Sequence, residues 1–338
     1  CVNLRNKSNC FLNEQLSKDE YNKRVSEIMG SSERMAQFRK EFDEFALKFP
    51  RRENNNLQSV DSTGDYLSEC KNVKDSFEIL KSEDCRYTFS SKLIKDSIGT
   101  IGYGTNCERL LECVAVGYST NIVGTYGAEN CQNILYGFYT SNCNDCVGCD
   151  ALKNGSFAVF NKEYSKEEYE EIKSHIVSEL KDQDLYGLIM PPALAPFAYN
   201  ETVAQDNFPL TKEEAIGQGF RWEDDIQQTR GKETIHSDDI PDHINDVLDS
   251  ITHEVLRCDS CERNYRITDA EFLFYRKMKL PIPRICFYCR HQDRILRRGP
   301  YKFWDRKCDN CSKDIITNYS PDRSEIVYCE SCYQKEVM

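Results

Sequence analysis

The feature that most limits the folds open to this chain is a six-residue period of small residues between positions 107 and 155. The small residues are Cys107, Cys113, Ser119, Thr125, Cys131, Gly137, Cys143, Cys149 and Gly155. Aliphatic residues follow several of them at a distance of three, among them Leu110, Val116, Ile122 and Ile134. Neither a helix nor an alternating strand gives this period, whereas a β-solenoid does, because its short strands stack around a narrow interior. Cysteine is small, apolar and easily buried, and we therefore predict a Cys/Ser-rich β-solenoid over residues 60–160.

Two sets of paired cysteines stand near the end of the chain. Each set consists of two CxxC pairs, which are Cys258/Cys261 with Cys286/Cys289, and Cys308/Cys311 with Cys329/Cys332. Two residues between cysteines form a tight knuckle, and two facing knuckles give the tetrahedral four-sulfur cage that zinc prefers. The spacing predicts two zinc ions as cofactors. Because four protein ligands leave no position open for water, we expect both ions to be structural and not catalytic.

The residues between the knuckles predict the fold of each zinc site. In the first site, residues 264–267 have the pattern of a strand, and a helix is expected to begin at the capping residue Thr268 and to end near Met278. In the second site, residues 314–319 and 324–328 flank a turn and predict a hairpin. Both sites are therefore interpreted as small zinc ribbons.

A basic segment lies within and beyond the first zinc site. Residues 276–307 carry eleven Lys or Arg against two acids, and residues 251–338 hold 17 Lys and Arg against 13 Asp and Glu in a chain of net charge −12. Cations neutralise phosphates and aromatic rings stack on bases, so this composition indicates a nucleic-acid contact. The residues assigned to that contact are Arg290, Arg294, Arg297, Arg298, Lys302 and Trp304. The alternative is a solvated connector whose aromatic side chains pack between the ribbons.

The remaining cysteines bear on the cellular compartment. The chain has 18 cysteines in 338 residues, and because disulfide scaffolds are usually short, a reducing cytoplasm is expected. Cys143, Cys146 and Cys149 have the spacing of a third metal or iron–sulfur set, but packing inside the solenoid is favoured because two of them fall on the six-residue period. No run of 18 apolar residues is present, so neither a membrane span nor a membrane partner is expected. The apolar residues 186–199, interrupted by prolines, are predicted to be buried and irregular.

An internal repeat bears on how the chain begins. Residues 4–21 and 152–169 align without gaps at an offset of 148, and each copy carries a Ser-x-x-Glu capping box that predicts a helix. We expect residue 1 to lie inside an incomplete first copy of a unit duplicated in a longer protein. A second helix is predicted from about Ser32, and an amphipathic helix within 226–250.

Three stretches resemble Cys-rich zinc-ribbon proteins of candidate-phyla bacteria. They are Arg284-Ile-Cys286 to Cys289-Arg290-His291, Tyr319 to Val337 around Cys329-Glu-Ser-Cys332, and Phe160 to Tyr169 with the Cys/Ser-rich repeat before it. The resemblance covers most of residues 60–338. It implies a shared architecture and bound zinc, and it implies no established activity.

Together these patterns predict a mixed α+β multidomain protein, with a β-solenoid-like Cys/Ser-rich repeat, flanking helices and two small C-terminal zinc ribbons. The expected domains are 1–56 (incomplete repeat end with helices), 60–160 (solenoid), 161–250 (helical segment and linker), 251–300 (first zinc module) and 301–338 (second zinc ribbon). The predicted function is a non-enzymatic, cytoplasmic zinc protein that binds nucleic acid or a nucleoprotein. The alternatives are a scaffold with a protein partner and an enzyme with its site in the solenoid groove. No P-loop, GxSxG, HExxH or dinucleotide fingerprint is present, and the sequence identifies neither catalytic residues nor a small-molecule substrate.

Overall fold

The six-residue period corresponds to half a turn of the solenoid. The computed structural model describes residues 1–337, and in it the strands between residues 64 and 159 stack in parallel. In the regular part, hydrogen-bonded partners lie 12 residues apart, as in the ladder from Ile122 through Ile134 to Cys146. The solenoid has about eight turns, and with the helices and two cysteine clusters of the described residues it confirms the predicted mixed α+β class.

The corners of each turn come from left-handed backbone at every third residue. Between 121 and 154 these positions are Asn121, Gly124, Gly127, Asn130, Asn133, Tyr136, Tyr139, Asn142, Asp145, Gly148, Ala151 and Asn154. Glycine has no Cβ to clash in this conformation, and Asn and Asp tolerate it better than other residues do. The residue after each corner points inward, so one residue in three lines the interior.

Serine, threonine and cysteine can share this interior because most of their polar atoms find hydrogen-bond partners there, with the Thr100 hydroxyl as an exception. The Ser119 hydroxyl donates to the Gly117 carbonyl at 2.7 Å and accepts from the Cys131 N–H at 3.0 Å. The Cys113 thiol likewise donates to the Leu111 carbonyl at 3.2 Å. A buried polar group is tolerated when it is hydrogen-bonded, so small hydrogen-bonding side chains fill the interior beside Ile and Leu.

A single-residue insertion shifts the phase of the solenoid interior upstream of Cys107. Ile94 pairs with Cys107, 13 residues away, whereas Ile79 pairs with Ser91 at the usual 12. Residues before the insertion therefore line the interior in a shifted phase. In this part of the chain the residues at a three-residue spacing are all buried: Cys70, Val73, Ser76, Ile79, Ser82 and Cys85.

The helices and strands of the described residues are numbered in chain order. The α-helices are α1 (Lys18–Ile28), α2 (Ser32–Ala46), α3 (Lys166–Asp182), α4 (Val203–Asn207), α5 (Lys212–Gly217), α6 (Asp269–Met278), α7 (Phe287–Arg298) and α8 (Glu330–Val337). Before the solenoid lie β1 (Cys10–Phe11), β2 (Glu14–Gln15) and β3 (Arg51–Arg52). The solenoid strands are β4 (Gly64–Ser68), β5 (Lys71–Lys74), β6 (Ser76–Leu80), β7 (Glu83–Arg86), β8 (Phe89–Lys92), β9 (Ile94–Thr105), β10 (Cys107–Gly117), β11 (Thr120–Val123), β12 (Tyr126–Glu129), β13 (Gln132–Leu135), β14 (Phe138–Ser141), β15 (Asn144–Val147), β16 (Ser156–Val159) and β17 (Lys162–Glu163). The later strands are β18 (Leu256–Arg257), β19 (Asn264–Tyr265), β20 (Trp304–Lys307), β21 (Asp314–Thr317) and β22 (Val327–Tyr328).

The chain forms two compact units. The first contains Cys1–Glu53, Tyr199–Thr211 and the residues from Trp222 onward. The second contains Asn54–Ala198, with the solenoid, and Lys212–Arg221. Both cysteine clusters belong to the first unit.

The helices predicted from capping boxes are confirmed. Ser17 begins α1 and Ser165 begins α3, and in each box the serine side chain and the glutamate side chain accept the reciprocal N–H bonds. Within the second unit, α3 packs on one face of the solenoid, where its Tyr169 is fully buried in a cluster with Val147 and Val159. The predicted helices from Ser32 and after Thr268 are confirmed as α2 and α6.

Residues 1–13 share the backbone conformation of a segment 148 positions later. Left-handed residues occur at Asn3, Asn6, Asn9 and Leu12, and again at Ala151, Asn154, Phe157 and Phe160. Each segment then forms a short antiparallel hairpin, β1 with β2 and β16 with β17. The sequence repeat therefore corresponds to a repeated local structure.

Most of the stretch 186–199 is exposed, contrary to the prediction from its apolar composition, although Gly187, Ala198 and Tyr199 are buried. Leu188, Leu194 and Phe197 expose 55%, 67% and 57% of their surface. Proline lacks the N–H that a strand ladder needs, so this proline-interrupted segment adds no strand to the solenoid and runs along the surface of the second unit.

The prediction of an amphipathic helix within 226–250 is also wrong. The segment forms 3₁₀ turns at Ser237–Asp239 and Ile244–Asp246, with a third beginning at Asp249. The apolar residues that suggested helical spacing pack instead into the core beside the first cysteine cluster, as Ile240, Ile244, Val247 and Ile251. Short 3₁₀ turns and an α-helix give similar apolar spacing, so periodicity alone did not distinguish them.

Candidate metal centres and the cleft beside the first one

The first cysteine pair lies at the turn of the hairpin formed by β18 and β19. The Cys258 N–H donates to the Arg263 carbonyl at 3.0 Å, and the Glu262 N–H donates back to the Cys258 carbonyl. Glu262 has a left-handed φ of 63°. This tight turn directs the sulfurs of Cys258 and Cys261 to one side of the hairpin.

The second pair lies at the start of α7, with Cys286 at its N-cap and Cys289 in its first turn. The Cys286 N–H donates to the sulfur of Cys258 at 3.2 Å. The sulfurs of Cys258 and Cys289, and those of Cys261 and Cys286, are each 3.7 Å apart. All four sulfurs lie within 4.8 Å of one another. These residues, the first four-cysteine cluster, can therefore hold a metal ion.

The second four-cysteine cluster, formed by Cys308, Cys311, Cys329 and Cys332, is built in the same way. The Cys308 N–H donates to the Lys313 carbonyl at 2.8 Å, and Ser312 has a left-handed φ of 62°. The Cys329 N–H donates to the sulfur of Cys308 at 3.2 Å, and α8 begins directly afterwards. The two clusters are thus two copies of one local design, a hairpin knuckle facing a helix start.

The strand pairing predicted for the second ribbon is wrong. β21 pairs with β20 and not with residues 324–328, because the Cys308 knuckle is itself the turn between β20 and β21. β22 pairs in parallel with β3, so Val327 lies opposite Arg51. No local pattern can predict a pairing between residues this far apart in the sequence.

In each cluster the surroundings lower the pKa of some cysteines and raise that of others: burial raises the pKa of Cys289, and a hydrogen bond with the Cys311 sulfur raises that of Cys332, each to about 12. Burial alone would raise the pKa of Cys258, but the N–H groups of Cys286 and of its own knuckle lower that pKa to about 7. A hydrogen bond with the Ser331 hydroxyl lowers the pKa of Cys329 to about 6. The positive ends of the α7 and α8 dipoles act in the same direction. Four thiolates at these separations suit a soft divalent ion with tetrahedral coordination.

The third cysteine set lies in the solenoid interior, as the packing interpretation predicts. Cys143, Cys146 and Cys149 expose at most 1% of their surface and belong to the solenoid's hydrophobic core. Each thiol lies within hydrogen-bonding distance of the carbonyl two residues before it, at 3.2 to 3.5 Å. Among residues 1–337, the groups able to hold a metal ion are the two four-cysteine clusters.

Three of the six residues predicted to contact nucleic acid bind other parts of the protein. Arg290 donates to the Tyr275 hydroxyl at 2.9 Å, and Arg297 donates to both carboxylate oxygens of Asp43 at 3.1 and 2.9 Å. Arg298 donates to the Asn207 side chain at 2.8 Å. These guanidinium groups are already occupied in holding the first unit together.

The other three predicted residues lie nearer the surface. Arg294 is exposed on α7, with its guanidinium carbon 5.9 Å from the centre of the Phe287 ring, and it has no hydrogen bond or ion pair within residues 1–337. Lys302 is exposed, and its ammonium lies 5.4 Å from the ring centre of the half-buried Trp304. The cations open to a ligand in the predicted set are therefore Arg294 and Lys302.

A cleft of about 1180 Å³ lies beside the first four-cysteine cluster, entirely within the first unit. Its walls include Cys261, Cys286 and Cys289, the aromatic residues Phe287 and Tyr288, Arg263, and the carboxamides of Gln227, Gln228 and Gln292. Sequence reasoning missed Phe287, Tyr288 and Arg263. The sequence does place Phe287 and Tyr288 between the two cysteines of a knuckle. Side chains at these positions cannot point at the sulfurs and must face outward, which is the signal that could have identified them.

No protein-family model matches the chain, and no curated protein matches it. Among residues 1–337, every helix is too short or too polar to span a bilayer. The fold and the two sites themselves define the class of this chain: it is a β-solenoid protein with two four-cysteine clusters able to hold metal ions.

Proposed function

We propose that each four-cysteine cluster binds one zinc ion and that both ions are structural. Four cysteine sulfurs converge at each site, and a full set of four protein ligands leaves no position for water or substrate. The second cluster depends most on its ion, because three of the five buried residues in its core are themselves ligands, leaving Ile315 and Val327. A core this small cannot hold a module without metal.

The zinc modules would serve nucleic-acid recognition and not catalysis. The observation that carries this proposal is Arg294, an exposed cation on α7 with no acidic partner among the described residues, next to the exposed ring of Phe287. The region from residue 251 onward has a net charge of +4, although the chain as a whole carries −12. Zinc cages of four thiolates carry −2 each and together offset this +4, so the unpaired cations Arg294 and Lys302 matter more than the net charge.

Binding of a labelled oligonucleotide by the zinc-loaded chain tests this proposal. Arg294→Glu is expected to weaken binding about tenfold or more and to reduce the slope of log affinity against log salt by about one. Lys335→Glu changes the total charge equally at an exposed site on α8 and should leave affinity within about twofold of wild type. Equal affinities and salt slopes for wild type and Arg294→Glu would contradict the proposal.

A protein–protein scaffold is the second candidate, and a different observation favours it. In the second unit, Leu188, Met190, Leu194 and Phe197 expose 44–67% of their surface along one short segment. Exposed apolar groups this close together are typical of surfaces that other proteins cover. This function predicts a stoichiometric complex that survives nuclease treatment and is lost on Leu194→Asp, whereas Arg294→Glu leaves it intact.

A further inference from the structure

The cleft beside the first four-cysteine cluster presents two aromatic rings to solvent. Phe287 and Tyr288 expose 59% and 62% of their surface, although both lie between the cysteines of a knuckle that is otherwise tightly packed. Their backbone is fixed on both sides, because Cys286 and Cys289 belong to the cluster and α7 begins at Phe287. Rigid, exposed rings next to a cleft form a stacking surface that needs little ordering on binding.

Cationic groups lie over both rings. The Arg263 guanidinium carbon is 5.3 Å from the centre of the Tyr288 ring, and that of Arg294 is 5.9 Å from the Phe287 ring. The Nε of Arg263 is buried without a hydrogen-bond partner among the described residues. Rings interleaved with unpaired cations suit a ligand with flat neutral surfaces and anionic links between them.

The inner wall of the cleft restricts where the negative charge of that ligand can lie. Cys261 and Cys289 line the cleft, as do the acidic residues Glu201 and Asp206, and a metal-loaded cage of four thiolates is negative. Phosphates would therefore stay at the half-buried Arg263 and the exposed Arg294, while an uncharged ring enters toward the cluster. The side-chain amides of Gln227 and Gln228, which have no hydrogen bond in the described structure, can donate to and accept from the edge of such a ring.

We propose that this cleft binds an unpaired base of single-stranded nucleic acid, stacked on Tyr288 or Phe287, with the adjoining phosphates on Arg263 and Arg294. The proposal rests on the nucleic-acid function above and specifies its ligand. In a duplex, bases are already stacked and paired, so their faces cannot reach side chains without unpairing. A single strand offers every base face at no such cost, and stacking is tolerant of sequence because each base has a π face.

The test compares a single strand with a duplex of the same length on the zinc-loaded full chain. We expect wild type to bind the single strand more tightly, and 2-aminopurine placed in that strand to lose fluorescence on stacking. Tyr288→Ala and Phe287→Ala should each weaken single-strand binding about fivefold or more and leave duplex binding within about twofold. Tyr288→Phe keeps an aromatic ring and should bind single strand and duplex as wild type does. The matched control is Phe274→Ala, which removes a ring 53% exposed on α6 and should also leave both affinities unchanged.

The outcomes separate this inference from the function it rests on. If Arg294→Glu weakens binding but Tyr288→Ala and Phe287→Ala bind as wild type, the cleft does not bind a base. Nucleic acid would then bind through the exposed cations around Arg294 alone. Equal affinity for single strand and duplex would also overturn the inference. Absence of binding to either nucleic acid by the wild type would overturn both proposals. Unchanged zinc content and circular dichroism show that a variant with reduced binding is still folded.

Discussion

Truncation of one interior residue tests whether the solenoid is held together by its narrow core. Ile134 is fully buried, and its register partners Ile122 and Cys146 are as well. Ile134→Ala removes three buried carbons, worth about 2.4 kcal/mol in transfer free energy. The partner strands are fixed by their ladders and cannot collapse onto the gap, so a cavity term raises the expected loss of unfolding free energy to about 4 kcal/mol.

Urea unfolding followed by circular dichroism measures this loss. The matched control is Ile101→Ala, which makes the same chemical change at a residue 46% exposed on the outside of the solenoid and should cost about 1 kcal/mol. The midpoint should fall in proportion to the free-energy loss if the slope with urea is unchanged. Equal midpoints for the two variants would refute the assignment of one residue in three to a close-packed interior.

Three further predictions follow from the cysteines and one ion pair. Burial raises the pKa of Cys85 to about 12 and that of Cys113 to about 11, so both should react with a thiol reagent at pH 8 only after unfolding; fast reaction in the native state would contradict this. Cys258→Ser should lower the metal content from two ions per chain to one, whereas Cys113→Ser should retain two; an unchanged content in the first variant would disprove its ligand role. The hydrogen bond from Arg297 lowers the pKa of Asp43, so their pair should add less than about 1 kcal/mol of stability, present above about pH 4 and lost as the pH falls through the lowered pKa. Asp43→Asn should therefore be less stable than wild type at pH 7 but equal to it near pH 2, and a difference that persists at pH 2 would contradict the assignment.

The solenoid could be predicted because its interior repeats in sequence. Small residues recur every six positions, and this period is half of the 12-residue turn. The corner pattern is also present in the sequence. Asn, Asp and Gly occupy most of the left-handed positions from Asn121 to Asn154, so a three-residue period of turn-forming residues indicates most of these corners.

The predictions that failed depended on contacts that are distant in sequence. The partner of β22 is β3, from the other end of the chain, and the partners of the arginines on α7 include Asp43. The length of a charged run cannot show which cations are neutralised within the fold. The exposure of Phe287 and Tyr288 follows from the knuckle that surrounds them, but the cleft next to them also needs residues near 200 and 227, which no motif connects to it.

The central claim is that each four-cysteine cluster binds one structural zinc ion. Its most direct test is the metal content per chain, measured by elemental mass spectrometry on protein purified under reducing conditions. Two structural four-cysteine sites predict two zinc ions per chain and no iron. One ion or none would show that at least one cluster is not a zinc site. Iron, or a third ion, would contradict the packing role of Cys143, Cys146 and Cys149 and would place metal chemistry inside the solenoid.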